Sequence, residues 1–151
     1  MLAVYIASQH VMAEDLFYSD LINPPQQLII QDDGIVFGGM KEPIRFCSEE
    51  SEYICIRSDA INFSVPKNIE RKTSWEFDKA VYSIKRKERF SMLGRGVEVL
   101  FIEQIDQENK KIEFLFSEEL GLIGFSPNGK INRFFLLENG CGFGGQGCIR
   151  K

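Results

Sequence analysis

The feature that most constrains this chain is a series of short segments from Val97 to Leu137 that alternate apolar and polar residues between polar or glycine-containing breaks. Val97–Ile105 is rich in β-branched and aromatic side chains. Asp106–Lys110 is a polar loop, after which Ile112, Phe114 and Phe116 alternate with Lys111, Glu113 and Leu115. Ser117–Gly121 turns the chain into Leu122–Phe125, and Pro127–Lys130 turns it again into Ile131–Leu137. Successive side chains on a strand point to opposite faces, so a period of two marks strands with one packed face. Links of about five residues are too short for a parallel crossover, so sequential antiparallel pairing, a meander, is expected. Turn signals at this spacing favour a sheet that curls into a half-barrel or sandwich.

The pattern continues upstream. Tyr53–Arg57 is a short apolar run, and Ile61, Phe63 and Val65 alternate with Asn62 and Ser64 before Pro66. Trp75 and Phe77 share a parity that Tyr82 and Ile84 do not, which predicts a bulge or break near Lys79-Ala80. Phe90 and Met92 lead into a turn at Gly94-Arg95-Gly96. Gln27–Gln31 and Gly34–Gly38 flank Asp32-Asp33-Gly34, a hairpin signal. Only the N-terminus departs. Leu2–Ala7 predicts a strand, while Ala13–Ile22 predicts a short amphipathic helix. Glu14 and Asp15 suit its first turn, Met12, Leu16, Phe17 and Leu21 approximate one apolar face, and Pro24-Pro25 stops it. The expected fold class is mainly β, α+β at the N-terminus: a curved antiparallel meander sheet, half-barrel or sandwich-like, with a short N-terminal helix.

A chain of 151 residues fits a single domain, with residues 139–151 forming a Gly/Cys-rich C-terminal loop or tail. A domain of this size buries roughly 68–70% of its unfolded surface, enough for a core without metal or disulfide staples. The cysteines are Cys47, Cys55, Cys141 and Cys148, spaced C-x₇-C and C-x₆-C within each pair. Those spacings are too loose for a zinc knuckle, so no metal or cofactor is expected. The thiols read as reduced and structural in a cytoplasmic protein, with Cys55 a small core residue between Ile54 and Ile56. A Cys141–Cys148 bridge is the main exception. No Lys or Arg precedes Lys41, which argues against a secretory signal, and no run approaches the ~20 apolar residues of a membrane span.

Each chemical motif is weak on its own. His10 is the one imidazole, and neither a G-x-S-x-G nor a catalytic-cysteine pattern accompanies it, so it reads as structural or superficial. Carboxylates cluster at Asp32-Asp33, at Glu49, Glu50 and Glu52, and at Glu118-Glu119. Neighbours in a strand point to opposite faces, so these runs do not make the facing pair that acid–base hydrolysis needs. They read as solvated turns or as an acidic recognition surface. Lys85-Arg86-Lys87-Glu88-Arg89 carries four positive charges in five residues, which suits a charged edge strand better than a nucleic-acid surface on an acidic chain. The glycines from Gly142 to Gly147 resemble no phosphate loop, because only three residues follow Cys148 and a supporting helix is required. They read as a flexible terminal loop, a cysteine-closed loop or a docking tail.

Charge is unevenly placed. Residues 1–66 hold ten acidic and three basic side chains, a net of −7, whereas residues 67–151 hold twelve and fifteen, a net of +3. The sequence therefore points to a non-catalytic protein-binding domain with a basic protein partner. An immunity or antitoxin protein that neutralises a basic nuclease-like toxin is one form of it. The partner-binding candidates are Asp32, Asp33, Glu49, Glu50 and Glu52. The alternative surface is basic: Lys85, Arg86, Lys87 and Arg89. Two other classes remain: a small-molecule or lipid carrier lined by Trp75, Phe77, Tyr82, Phe101, Phe114, Phe116, Phe134 and Phe135, and a hydrolase with a pocket carboxylate.

Overall fold

The computed structural model describes residues 15–20, 26–92, 94–126, 134–136 and 141–146, with the backbone alone at Met92 and Phe134–Leu136. The first strands are β1 (Leu16–Asp20), β2 (Gln27–Gln31), β3 (Gly34–Phe37) and β4 (Met40–Glu42). Then come β5 (Arg45–Phe46), β6 (Tyr53–Arg57) and β7 (Asn62–Pro66), a short 3₁₀ turn at Ile69–Arg71, and β8 (Ser74–Phe77). The long strands β9 (Ala80–Met92) and β10 (Arg95–Ile105) precede β11 (Lys111–Ser117), β12 (Gly121–Ser126) and β13 (Phe134–Leu136). Ten of them form one antiparallel sheet in the order β4-β3-β2-β1-β13-β12-β11-β10-β9-β8. The other three form a small sheet, β5-β6-β7. The meander from β9 to β13 pairs sequentially, as its short links require.

The large sheet bends around the small one. Near one edge, the Glu42 carboxylate on β4 accepts from the Ala60 N–H, 2.7 Å, in the link between β6 and β7. Near the other, the Tyr82 hydroxyl on β9 donates to the Asn62 carbonyl, 3.1 Å, and the Trp75 indole donates to Ser64, 3.2 Å. Two distant parts of one sheet thus reach the same hairpin, which makes an open half-barrel with the small sheet packed inside. Ile56, Phe63 and Val65 from the small sheet share one buried cluster with Ile30, Ile35, Ile102, Phe114 and Leu122 from the large one. A second cluster of Val97, Val99, Phe101, Leu120 and Ile123 packs on the other face, so β10 is buried on both sides.

The N-terminal helix is the first correction. Leu16–Asp20 is a strand, not part of a helix, and it pairs with β2 on one side and β13 on the other. Tyr18, Ser19 and Asp20 are all buried there, so this five-residue strand has no clean period of two, and its apolar residues imitate helical spacing. The predicted strand at Leu2–Ala7, the flanks of the predicted helix, His10, Pro24-Pro25 and Pro127–Lys130 lie outside the described residues. The predicted break near Lys79 is a two-residue hairpin turn: Asp78 and Lys79 have φ of 48° and 64°, and Phe77 pairs with Ala80. Arg95 and Gly96 belong to β10, with Gly94 (φ 78°) preceding them.

The thiols are the second correction. Cys47 and Cys55 form a disulfide with Cα atoms 5.2 Å apart, and Cys141 is disulfide-bonded too. The register explains the first bridge: Arg45 pairs with Arg57 and Phe46 with Ile56, so the next positions across the ribbon are Cys47 and Cys55. Cys148 lies outside the described residues.

The third correction concerns residues 141–146, which are a fitted strap rather than a flexible tail. Gly142 N–H donates to the Leu120 carbonyl, 2.6 Å, and Leu122 N–H to the Phe143 carbonyl, 2.8 Å. A Cβ on Gly142 would sit 2.0 Å from the Leu122 carbonyl oxygen, so only glycine permits this approach. The fully buried Tyr18 hydroxyl clasps the strap, donating to the Leu122 carbonyl at 2.8 Å and accepting from Phe143 N–H at 3.3 Å. Phe143 stacks on Phe46, with centroids 5.3 Å apart.

Candidate functional site

Three of the five acidic candidates, Glu49, Glu50 and Glu52, share the loop that joins β5 to β6 and that Cys47–Cys55 closes. β5 contributes only two residue pairs, so strand pairing alone would tether this loop weakly. The covalent bridge is reinforced by Cys47 N–H to the Cys55 carbonyl, 3.3 Å, and by a turn from Ser51 N–H to the Ser48 carbonyl, 3.0 Å. The Ser51 hydroxyl accepts from Tyr53 N–H, 3.1 Å. Lys67, just after β7, holds the loop from beneath: its N–H donates to the Glu52 carbonyl, 2.8 Å, and its ammonium to the Glu49 carbonyl. Lys67 thus spends its side chain on backbone, and all three carboxylates stay exposed. Among the described residues Glu50 and Glu52 have no cationic partner within ion-pair distance. The loop is an anionic surface with its ordering entropy already expended.

Asp32 and Asp33 occupy a different place. They form the exposed two-residue turn between β2 and β3, where Gln31 pairs with Gly34. Asp33 is engaged by the Lys41 ammonium at 2.7 Å, and that hydrogen bond holds its carboxyl below the ordinary range. This turn is at the end of the small sheet where Glu42 meets Ala60. The acidic loop is at the opposite end of β6, roughly 15 Å away along a five-residue strand. The five candidates therefore make two patches, not one.

Glu118 and Glu119 lie in the β11–β12 link. The Glu118 carbonyl accepts from Gln146 N–H, 2.8 Å, and Glu119 pairs with Arg95 at 2.9 Å. The basic residues Lys85, Arg86, Lys87 and Arg89 run along β9, three of them in ion pairs. Lys85 meets Glu103 at 3.1 Å, Lys87 meets Glu98 at 3.6 Å and Arg86 meets Glu88 at 2.9 Å. Arg86 also lies 3.6 Å over the Phe101 ring. This interleaving cuts the positive field that the sequence alone suggests.

The aromatic set splits between two packed regions. Trp75 stacks on Tyr82 with centroids 5.5 Å apart, and Phe63 meets Phe114 at 4.9 Å in the main cluster, while Phe101 belongs to the second. The side chains of Phe134 and Phe135 lie outside the described residues. Sequence reasoning passed over Asp20, the buried acid of the described residues at 1% exposure, because the expected helix hid its place between two strands. Lys67 was missed as well; no local signal links it to a loop fifteen or more residues upstream. Among the described residues no cluster of three His, Cys, Asp or Glu could hold a metal ion, and no helix is long and apolar enough to cross a membrane. No protein-family model, curated protein or solved structure matches this chain.

Proposed function

We propose that this chain is a non-catalytic protein-binding domain that engages a basic partner through the disulfide-closed loop bearing Glu49, Glu50 and Glu52. The observation that carries this reading is the combination of exposed carboxylates with a rigid backbone. Complementary charge accelerates encounter, and a loop ordered before binding loses little entropy on docking. Inhibition of a nuclease-like toxin is the most specific form of the reading, since carboxylates can stand where the enzyme's basic groups meet phosphates. The carrier alternative is less well supported, because its aromatics pack on one another. The hydrolase alternative gains nothing from Asp33, whose exposed carboxyl is shifted in the direction opposite to a general acid.

The disulfides bear on compartment. Disulfides persist in oxidising surroundings, so the working environment we propose is non-reducing, in place of the cytoplasm that the cysteine spacings first suggested.

The test compares the wild-type domain with a Glu49→Lys/Glu50→Lys/Glu52→Lys variant as cross-linking baits in native cells. The expected result is a basic protein held by the wild type, lost by the triple variant and largely retained by Asp32→Lys/Asp33→Lys. If that protein is a nuclease, the purified domain inhibits it. Equal retention by the triple variant, or turnover of a small substrate by the purified domain, contradicts the proposal.

A further inference from the structure

β9 is thirteen residues long, but β8 covers only its beginning: Phe77 to Ser74 pair with Ala80 to Ser83, and Ile84 N–H reaches the Thr73 carbonyl at 2.8 Å. From Arg86 to Ser91, β10 pairs with one side, with Lys85 the extra residue of a bulge opposite Phe101 and Ile102, and among the described residues nothing pairs with the other side from Lys85 to Ser91. That open edge spans about 23 Å at the usual rise per residue, and every second residue along it turns its N–H and C=O outward.

We propose that this edge accepts an extended acidic peptide as an added antiparallel or parallel strand. The occupant follows from charge. A second copy of the chain is disfavoured, because antiparallel self-pairing about Lys87 sets Lys87 against Lys87 and, twice, Lys85 against Arg89, three like-charge pairs that outnumber the two Arg86–Glu88 pairs. The same charges that guard the edge against itself favour a strand of opposite sign. Residues directly across a ladder share a face, so Lys87 and Arg89 lie on one face, opposite Leu100 and Glu98. Arg86, Glu88 and Phe90 lie on the other, opposite Phe101, Val99 and Val97. Arg89 has no ion pair among the described residues and lies across Gly96, where a Cβ would come within 2.9 Å of its Nε. The ion pairs of Lys85 and Lys87 are half-exposed, the kind that contributes little and exchanges partners readily. Phe90 is 39% exposed and meets Phe101 at 6.0 Å, an apolar foothold on the second face. The preferred peptide therefore alternates acidic residues, toward Lys87 and Arg89, with apolar residues toward Phe90. This surface is distinct from the acidic loop, and neither proposal depends on the other.

The experiment uses the full chain and a synthetic peptide of about seven residues, the length of the open edge, alternating Glu and Val. Binding is followed by fluorescence anisotropy, and backbone engagement by amide hydrogen exchange. The expected result is saturable binding with new protection at alternate amides between Lys85 and Ser91. Lys87→Glu/Arg89→Glu, at exposed positions, should weaken it by roughly tenfold or more. An Arg89→Glu single variant with an unchanged thermal midpoint guards against misfolding of the double one. Absence of binding, binding without edge protection, or indifference to both variants overturns the proposal. So does a preference for a single-stranded oligonucleotide, or self-association of the chain through β9.

Discussion

Tyr18 ties three separated stretches of chain with one hydroxyl, because it donates to β12 and accepts from the C-terminal strap. Replacement by Phe leaves the ring in place and orphans the Phe143 N–H and the Leu122 carbonyl. The expected loss is about 1–3 kcal/mol in urea unfolding, the range for unpaired buried polar groups. Burial raises the hydroxyl pKa of Tyr18, and likewise of Tyr82, above the ordinary 10.0. The folded state then holds protons that the unfolded state releases, so stability is fully present below pH 10.0 and falls as pH rises beyond it. Urea midpoints measured at neutral pH and above pH 10.0 should diverge in the wild type, and less in Tyr18→Phe or Tyr82→Phe. No local pattern marks Tyr18 for this role, since its partners lie more than a hundred residues away in sequence.

At the scale of elements, the hairpins were the legible part. Asp32-Asp33-Gly34, the loop at 106–110 and the turn after β11 all announce themselves by composition, and alternation fixes the strands between them. β1 was not legible, because a central strand buried on both faces loses the alternation that distinguishes it from a helix. The division into two sheets was hidden too, since a period of two says which face is packed but not against which sheet. The acidic loop was recognised by charge, but its rigidity depends on a disulfide that only the β5–β6 register reveals. Two substitutions test the turn and the strap. Lys79 occupies a left-handed position, so Lys79→Gly should stabilise the β8–β9 hairpin by roughly 0.5–1 kcal/mol in thermal or urea unfolding. Gly142→Ala places a methyl group against the Leu122 backbone and should destabilise by about 2 kcal/mol or more, with amide exchange rising first at Leu122 and Phe143.

At the scale of the whole molecule, the main buried cluster of the half-barrel is built from residues other than the Cys47–Cys55 pair, although Cys55 is itself buried at the middle of β6, across from Ser64. Removing the bridge by Cys47→Ser/Cys55→Ser should therefore leave a cooperative fold about 2.5 kcal/mol less stable, the chain-entropy value for so short a loop. The loop itself should lose exchange protection at Ser51 and Tyr53, and partner association should slow because a disordered loop must be ordered on docking. The charge asymmetry of the chain, −7 over residues 1–66 against +3 over the rest, belongs to this same scale, and in the proposed function it would orient a charged partner. The most direct measurement is the association rate of the captured basic partner, by stopped flow, for the wild type and Glu49→Lys/Glu50→Lys/Glu52→Lys. The comparison is made at about 0.05 M and about 0.5 M salt, on either side of physiological screening. The expected result is a fast wild-type rate that falls steeply with salt, and a reversed variant that is slow at both concentrations with its thermal midpoint kept. Equal rates for the two proteins, or a larger effect from reversing Lys85, Arg86, Lys87 and Arg89, would contradict it.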